Sequence, residues 1–361
     1  MSGLSLSRAG DRCENPIEQP MLKALKAMMY GAGDLRMEEY EIDETRLGSD
    51  QVLVSTDVSA LSTGTDLGNY LGNSTYVPGA PDYPRQVGYS NVGTVVAAGA
   101  EVKNLEPGVR VFSMKPHMSA YIARADEVLV PIPNGVPADQ ASLAYLTQLG
   151  LAGMRQARYE AGENVMVVGL GVIGLSTVGL ARAMGARVVA IGNSQVRCDV
   201  ALKVGAHAAG LANDPGIAEL LKREFGSSGA DLVVLTANPW DAYRFSVENV
   251  RPSGRISILG FPGRGQAAPD FNPLDPQWFY AKQLTLLGSG GSPRVECRPG
   301  DLRFNLRRNL EYILDLMARG ELSLAKIISH RLPARRMKEA YEMAKEHSKT
   351  LVAAVFDWKT S

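Results

Sequence analysis

Asn164-Val165-Met166-Val167-Val168-Gly169-Leu170-Gly171-Val172-Ile173-Gly174 is the stretch on which the reading of this chain turns. Its first residues form a largely apolar run, the pattern of a strand buried on both faces. Three glycines then break the run, and residues 175–184 continue with a helical pattern that stops at Gly185. A GxGxxG alone is a weak signal. Between a strand and a helix, inside a strand–helix–strand unit, it is in the context it requires. Gly169 permits a tight turn, Gly171 lets a ligand approach the backbone, and Gly174 lets the helix pack on the strand. The helix start, with Val172 and Ile173, presents unpaired N–H groups and a partial positive charge, which suit a pyrophosphate. The alternative is a glycine-rich turn with no ligand.

The same texture repeats on the C-terminal side. Residues 187–191, 231–236, 255–260 and 284–287 read as strands, and residues 195–204 and 217–225 as helices. Buried strands alternating with helices of this length predict an α/β doubly wound parallel sheet, the Rossmann arrangement. On the N-terminal side the pattern differs. Residues 22–30, 51–58, 91–98, 109–112, 119–122 and 127–132 are short apolar runs between Gly and Asp signals, which predict a β-rich, partly closed unit. A helix over residues 138–157 then carries the chain across. Beyond a loop at 288–293, a helix over 306–317, a strand near 326–332, a helix near 337–344 and a strand at 351–357 are too few to bury a core of their own. They return to the first unit, so the Rossmann unit is an insertion. The expected division is a loose tail over residues 1–20, a catalytic domain over 21–157 and 292–361, and a nucleotide domain over 158–291.

Composition narrows the function classes. The chain has 361 residues, with 38 Lys plus Arg balanced by 38 Asp plus Glu. A net charge of zero provides no global field for nucleic acid or an anionic membrane. The three cysteines, Cys13, Cys198 and Cys297, are scattered and fit a reducing compartment. No apolar run approaches the roughly 20 residues of a membrane span, and the first residues lack a signal-peptide core. A cytoplasmic protein with a small-molecule partner is expected.

The end of the second parallel strand bears on the cofactor. NAD-binding chains place Asp or Glu there to accept from the ribose 2′-OH. This chain has Gly192, Asn193 and Ser194, followed by Arg197. Gly192 leaves room, Ser194 can donate, and the Arg197 fork suits a 2′-phosphate. NADP(H) is therefore expected. The alternative is that Arg197 is a solvated helix residue and the protein is indifferent between the two nucleotides. Thr236, Gly260 and Phe261 end strands on the side where open α/β sheets bind ligands, and are expected to touch the cofactor. The plainer alternative for Phe261 is a packing residue.

With these features the chain resembles the medium-chain dehydrogenase/reductase superfamily, the alcohol dehydrogenase-like family, over residues 22–358. The matching stretches are Ser62-Thr63-Gly64-Thr65-Asp66, Gly88-Tyr89-Ser90-Asn91-Val92-Gly93, Pro107-Gly108-Val109-Arg110-Val111-Phe112 and the glycine loop. The Thr63-Gly64-Thr65-Asp66 stretch and Pro116-His117 make it most similar to zinc-lacking relatives of bacteriochlorophyllide 2-hydroxyethyl dehydrogenase. The resemblance implies a GroES-like catalytic domain and hydride transfer. It also implies pairing of strands near residues 284–287 across a subunit interface, hence a homodimer or homotetramer.

Zinc members of the family carry Cys, His-Glu and a further Cys or Glu where this chain has Thr63, Tyr89-Ser90 and Tyr145. Hydroxyls at neutral pH do not supply the thiolate, imidazole or carboxylate that zinc takes, so no metal is expected. Donors must then stabilise the oxyanion that hydride transfer makes. The candidates are Tyr89, Tyr145, Thr63 and His117. Each has a plainer reading: the tyrosines as core residues with hydroxyls on carbonyls, His117 as a structural or solvated imidazole, and Thr63 as pocket lining. Asp66 reads as a turn cap. Three functions fit: a carbonyl/alcohol oxidoreductase, an ene-reductase acting on a C=C conjugated to a carbonyl, or a protein that binds NADPH without turnover. Substrate specificity is expected to lie in the loops at residues 69–85 and 291–301.

Overall fold

The computed structural model describes residues 21–72, 82–227, 229–292 and 304–360. The expected tail over residues 1–20, Cys13 and Cys297, and residues 73–81 and 293–301 of the expected specificity loops lie outside the described residues.

The chain opens with a hairpin, β1 (Leu22–Gly31) and β2 (Asp34–Ile42), turned at Gly33. Then follow β3 (Gln51–Ala60), the short helix α1 (Thr65–Tyr70), β4 (Arg85–Gln86), β5 (Asn91–Ala98), β6 (Arg110–Ser113), β7 (Ala120–Arg124) and β8 (Leu129–Pro131). The expected β-rich unit is present. β2 lies outside the sequence reading because its charged pattern, Asp34-Leu35-Arg36-Met37-Glu38-Glu39-Tyr40-Glu41-Ile42, is a poor strand signal. It forms because β1 offers it a partner residue by residue, from Leu22 opposite Ile42 to Met29 opposite Leu35, with a register shift only next to the turn.

The crossing segment departs from the single helix expected over residues 138–157. It is two helices, α2 (Ala138–Ala141) and α3 (Ala144–Gln156), separated at Ser142 and Leu143. The Ser142 carbonyl accepts the Ser90 hydroxyl at 2.5 Å, and its own hydroxyl turns back to the Asp139 carbonyl at 2.7 Å. These bonds supply an alternative to the helical ladder at the break.

The parallel unit comprises β9 (Asn164–Val168), α4 (Val172–Ala183), β10 (Arg187–Gly192), α5 (Gln195–Lys203), β11 (Ala208–Leu211), α6 (Ile217–Phe225), β12 (Ala230–Leu235), α7 (Trp240–Asn249), β13 (Val250–Ile258) and β14 (Thr285–Gly288). Its order, β11-β10-β9-β12-β13-β14, reverses direction at β9, and every neighbouring pair is parallel. This is the doubly wound Rossmann order. β11 and α7 are additions to the sequence reading; α7 follows Pro239 and lacks a clean apolar stripe.

The chain finally forms α8 (Leu306–Ala318), β15 (Ile328–Pro333), α9 (Met337–Lys345) and β16 (Ala353–Asp357). β16 pairs antiparallel with β3, Phe356 opposite Ser59. The resulting seven-stranded sheet runs β15-β16-β3-β5-β6-β8, with β7 also on β3. Leu143, Leu146, Leu151 and Met154 of the crossing segment are fully buried in one core with Val165, Leu175 and Val178 of the parallel unit. Burying a side chain of this size contributes about 1.5–3 kcal/mol each, so α3 is anchored to both units at once.

Candidate active site

The glycine loop shows three different uses of the same residue. Gly169 has φ +98°, and a Cβ there would stand 2.7 Å from the Ala237 nitrogen. At Gly174 a Cβ would stand 1.8 Å from the Gly169 carbonyl oxygen, inside any tolerable contact. At Gly171 a Cβ would meet nothing within 4 Å. The first two are demanded by the protein's own packing. The third faces open space at the helix N-terminus, where a phosphate would approach. The Thr236 hydroxyl donates to the Gly169 carbonyl at 2.8 Å, so Thr236 braces the turn.

The end of β10 lies beside this loop. A Cβ at Gly192 would stand 2.8 Å from Leu170 Cδ1. Asn193 is exposed, and Ser194 caps the start of α5 without a side-chain cap bond. Arg197 is half-buried and gives one N–H to the Leu351 carbonyl at 3.2 Å; burial lowers its pKa. Asp199, two residues further on, accepts from Gln195 one turn before it. Across the sheet, Gly260 packs on the Ala237 carbonyl, and Phe261 is exposed, with its N–H on Asn238 Oδ1 at 2.9 Å. Asn238 thus ties two strand ends together, a role no local pattern announced.

The hydroxyl residues converge from separate segments. β3 ends at Ala60, and the turn that follows carries Ser62, Thr63 and Thr65 into α1. Tyr89 stands just before β5, and its hydroxyl donates to Ser62 Oγ at 2.5 Å. The Thr65 hydroxyl also bonds to it. Tyr145, near the N-terminus of α3, meets the Tyr89 ring edge-on, with centroids 5.3 Å apart. Burial, and then the charge of Asp66, hold the Tyr89 phenol well above its ordinary pKa, against the opposing pull of Ser62 and Thr65. Tyr89 therefore keeps its proton at neutral pH. Thr63 is half-buried on the same turn.

Asp66 is fully buried and takes the N–H of Ser62 at 2.9 Å and of Gly88 at 3.2 Å. It fastens the turn bearing Ser62 to the turn bearing Tyr89. His117 lies behind this pair: it is 0% exposed, and its Nδ1 is 2.8 Å from Ser59 Oγ. Burial pushes its pKa down to about 3. The structure thus joins Tyr89 and Tyr145, adds Ser62 and Thr65, and sets His117 one layer back. Thr65 was hidden because a threonine opening a helix reads as an ordinary cap residue.

Pocket and cradle share one frame. α3 packs along α4, the helix opened by the glycine loop, and the contact is close: a Cβ at Gly150 would stand 2.0 Å from Thr177 Oγ1. The chain beyond β14 also passes the pocket, since a Cβ at Gly291 would stand 3.9 Å from the Tyr145 hydroxyl. A separate groove of about 420 Å³, bounded by Tyr40, Arg46, Lys115 and Met118, lies away from these hydroxyls.

The donor set does not fit zinc. Among the described residues no three His, Cys, Asp or Glu side chains lie together as a metal set. Ser90 Oγ is committed to the Ser142 carbonyl and the Tyr89 proton to Ser62, and neutral hydroxyls are poor zinc ligands.

Six parallel strands in this order, joined to a β-rich sheet built from segments on both sides of them in the chain, match known structures. Galactitol-1-phosphate dehydrogenase from Escherichia coli superimposes with a TM-score of 0.75 at 20% identity, over 92% of this chain and 99% of that one. The chain has the medium-chain dehydrogenase/reductase fold. The zinc-binding dehydrogenase family matches residues 172–304 of this medium-chain fold. Curated relatives include L-galactonate-5-dehydrogenase of Escherichia coli, 26% identical over 326 residues, covering 81% of this chain and 87% of the relative. NADP-dependent isopropanol dehydrogenase of Entamoeba histolytica is 25% identical over 292 residues, covering 79% and 74%. Together these matches support the alcohol dehydrogenase-like superfamily.

Proposed function

We propose that the chain is an NADP(H)-dependent oxidoreductase that exchanges hydride with a small polar metabolite, reducing a carbonyl, without catalytic zinc. The observation that carries this reading is the hydrogen-bonded group of Ser62, Thr65 and Tyr89 against Tyr145, on a frame shared with the glycine loop. A bound nicotinamide supplies the hydride. Gly169, Gly171 and Gly174 with the start of α4 hold the pyrophosphate, and Ser194 and Arg197 take the 2′-phosphate. Gly192 leaves it room, while Thr236, Gly260 and Phe261 frame the strand ends. Because the Tyr89 proton points at Ser62 Oγ, the Ser62 proton is left to face the reacting oxygen. Pre-aimed donors in a water-poor pocket stabilise a developing alkoxide more strongly than water does.

The named activities of the relatives, on L-galactonate and isopropanol, favour alcohol and carbonyl chemistry over alkene reduction. The test is a panel of saturated ketones and matched conjugated enones, read as NADPH consumption with product analysis. Ketone reduction is the expected outcome. Reduction of the C=C with the carbonyl left intact makes the protein an ene-reductase, and no turnover on any member leaves a nucleotide-binding protein. We further assign the edge strand β14 to subunit pairing; a monomer by light scattering would remove that assignment.

A further inference from the structure

Behind the hydroxyl pocket lies a buried acid–base pair that the reaction as proposed does not use. His117 Nε2 stands 4.0 Å from Asp66 Oδ2, with both side chains at most 1% exposed. That nitrogen has no hydrogen-bond partner among the described residues. The opposite ring nitrogen is fixed. Trp358 Nε1, which can only donate, gives its proton to Ser59 Oγ at 2.9 Å, and the same oxygen lies 2.8 Å from His117 Nδ1. The proton that Ser59 owns then goes to Nδ1, which leaves the ring proton on Nε2, facing the carboxyl. The ring has little room to turn: Phe356 meets it edge-on with centroids at 5.2 Å, and a Cβ at Gly88, φ +85°, would stand 2.5 Å from its Cδ2.

On its other side Asp66 holds the Ser62 and Gly88 amides, so it is fastened to both turns of the pocket. The groups that sense its charge are His117 from the loop before β7, Tyr89 from the turn before β5, and Tyr341 from α9. Tyr341 has its hydroxyl buried without a partner among the described residues, and its ring meets that of Tyr70 at a tilt, with centroids 5.3 Å apart; the Tyr70 hydroxyl goes to Glu342. At 4.0 Å the two are not hydrogen-bonded, but a neutral N–H facing a desolvated carboxyl still favours its ionised form. A carboxylate there disfavours a second negative charge on Tyr89. We infer that Asp66 and His117 are a paired positioning device, in which the His117 Nε2 proton supports an Asp66 carboxylate that keeps Tyr89 a proton-bearing donor. Burial, against the opposing pull of the Ser62 and Gly88 amides, raises the Asp66 pKa to about 7, so a further donor bears on its charge at neutral pH.

The inference rests on Tyr89 as the pocket donor, yet it is tested without substrate or turnover, so its failure is separable from failure of the proposed reaction. In the full-length protein, nitrogen NMR of labelled histidine reads the ring state of His117, one of four histidines, assigned by its loss in His117→Gln. A neutral ring protonated on Nε2 from about pH 8 to about pH 5 is expected. In parallel, fluorotyrosine placed at position 89 reports its own ionisation by fluorine NMR. Asp66→Asn should lower that midpoint by about one pH unit or more, and Asp66→Glu should restore it. A proton on Nδ1, a charged ring at neutral pH, or an unmoved midpoint in folded Asp66→Asn overturns the inference. The histidine measurement uses the unaltered chain and decides the matter alone if Asp66→Asn does not fold. A purely structural Asp66 would leave the fluorotyrosine midpoint where it is.

Discussion

The cradle at the tip of β9 and the hydroxyl cluster around Tyr89 are linked through the packing of α3 on α4 but are made of different material. The cradle is main chain. Its work is done by amide groups at a helix N-terminus and by the absence of side chains at Gly169, Gly171 and Gly174. The pocket is side chain: hydroxyls of Ser62, Thr65 and Tyr89, tied together through Asp66. A cradle built this way is sensitive to volume and indifferent to chemistry. A pocket built that way tolerates small changes of volume and is sensitive to the loss of one oxygen.

The largest effect should therefore come from one methyl group in the cradle. Gly174→Ala places a carbon 1.8 Å from the Gly169 oxygen, which α4 can relieve only by leaving β9. A loss on the order of 3 kcal/mol is expected, visible as a lowered melting temperature together with lost NADPH binding. Gly171→Ala is the sharper half of the experiment. Gly171 has φ −77° and open space beyond it, so the variant should melt within about 1 kcal/mol of the parent. It should nevertheless bind NADPH at least about tenfold more weakly, because the methyl stands where the phosphate approaches. A parent-like melt for Gly174→Ala, or parent-like binding for Gly171→Ala, breaks the distinction between packing glycines and ligand glycines.

In the pocket the corresponding change removes an oxygen and no carbon. Tyr89→Phe keeps the edge-on contact with Tyr145 but deletes the bond to Ser62. Turnover should fall by about 100-fold, while NADPH affinity, read by fluorescence titration, stays unchanged. Undiminished turnover would remove Tyr89 from the chemistry and leave it as a packing residue.

The contrast also explains what the amino-acid sequence discloses. The cradle is local: strand, glycines and helix occupy consecutive residues, and the alternation that surrounds them announces a parallel sheet. The pocket is non-local. Ser62, Asp66, Tyr89, His117, Tyr145 and Tyr341 meet only after β3, β5, α3 and α9 have folded together, and no periodicity links them. Tyr89 and Tyr145 came to notice through resemblance to zinc-bearing members of the family, and that route points only to positions that match their metal ligands. Thr65 and Tyr341 lie outside it. The break between α2 and α3 was hidden for the same reason, since it depends on a hydroxyl from Ser90, more than fifty residues earlier in the chain.

A smaller effect is expected at the boundary between the two materials. Arg197 is the one charged side chain assigned to the cradle, and it also holds the Leu351 carbonyl. Arg197→Ala should weaken NADPH about tenfold and leave NADH as before, because only the 2′-phosphate needs the guanidinium. Loss of the Leu351 bond costs about 1 kcal/mol of stability besides. Equal weakening of both nucleotides in a calorimetric titration would assign Arg197 to folding alone and leave the cofactor preference without a cause.

The smallest expected effect is none, from a chelator, and here the cluster's chemistry is tested against that of the zinc-bearing members it resembles. Zinc requires thiolate, imidazole or carboxylate. Tyr89 is held in its protonated form by burial and by Asp66, and Ser90 is committed to the Ser142 carbonyl. Recruiting the unpartnered Nε2 of His117 would mean pushing its ring past Gly88, against which it is already tightly packed. Recruiting Asp66 would release the Ser62 and Gly88 amides and undo the pocket it was meant to serve. Elemental analysis of the purified protein should therefore find much less than one zinc per chain, and turnover should be the same before and after chelation. One equivalent of zinc whose removal abolishes turnover would mean that the hydroxyls line a metal site after all, and that Tyr89 ionises where the burial around it says it should not.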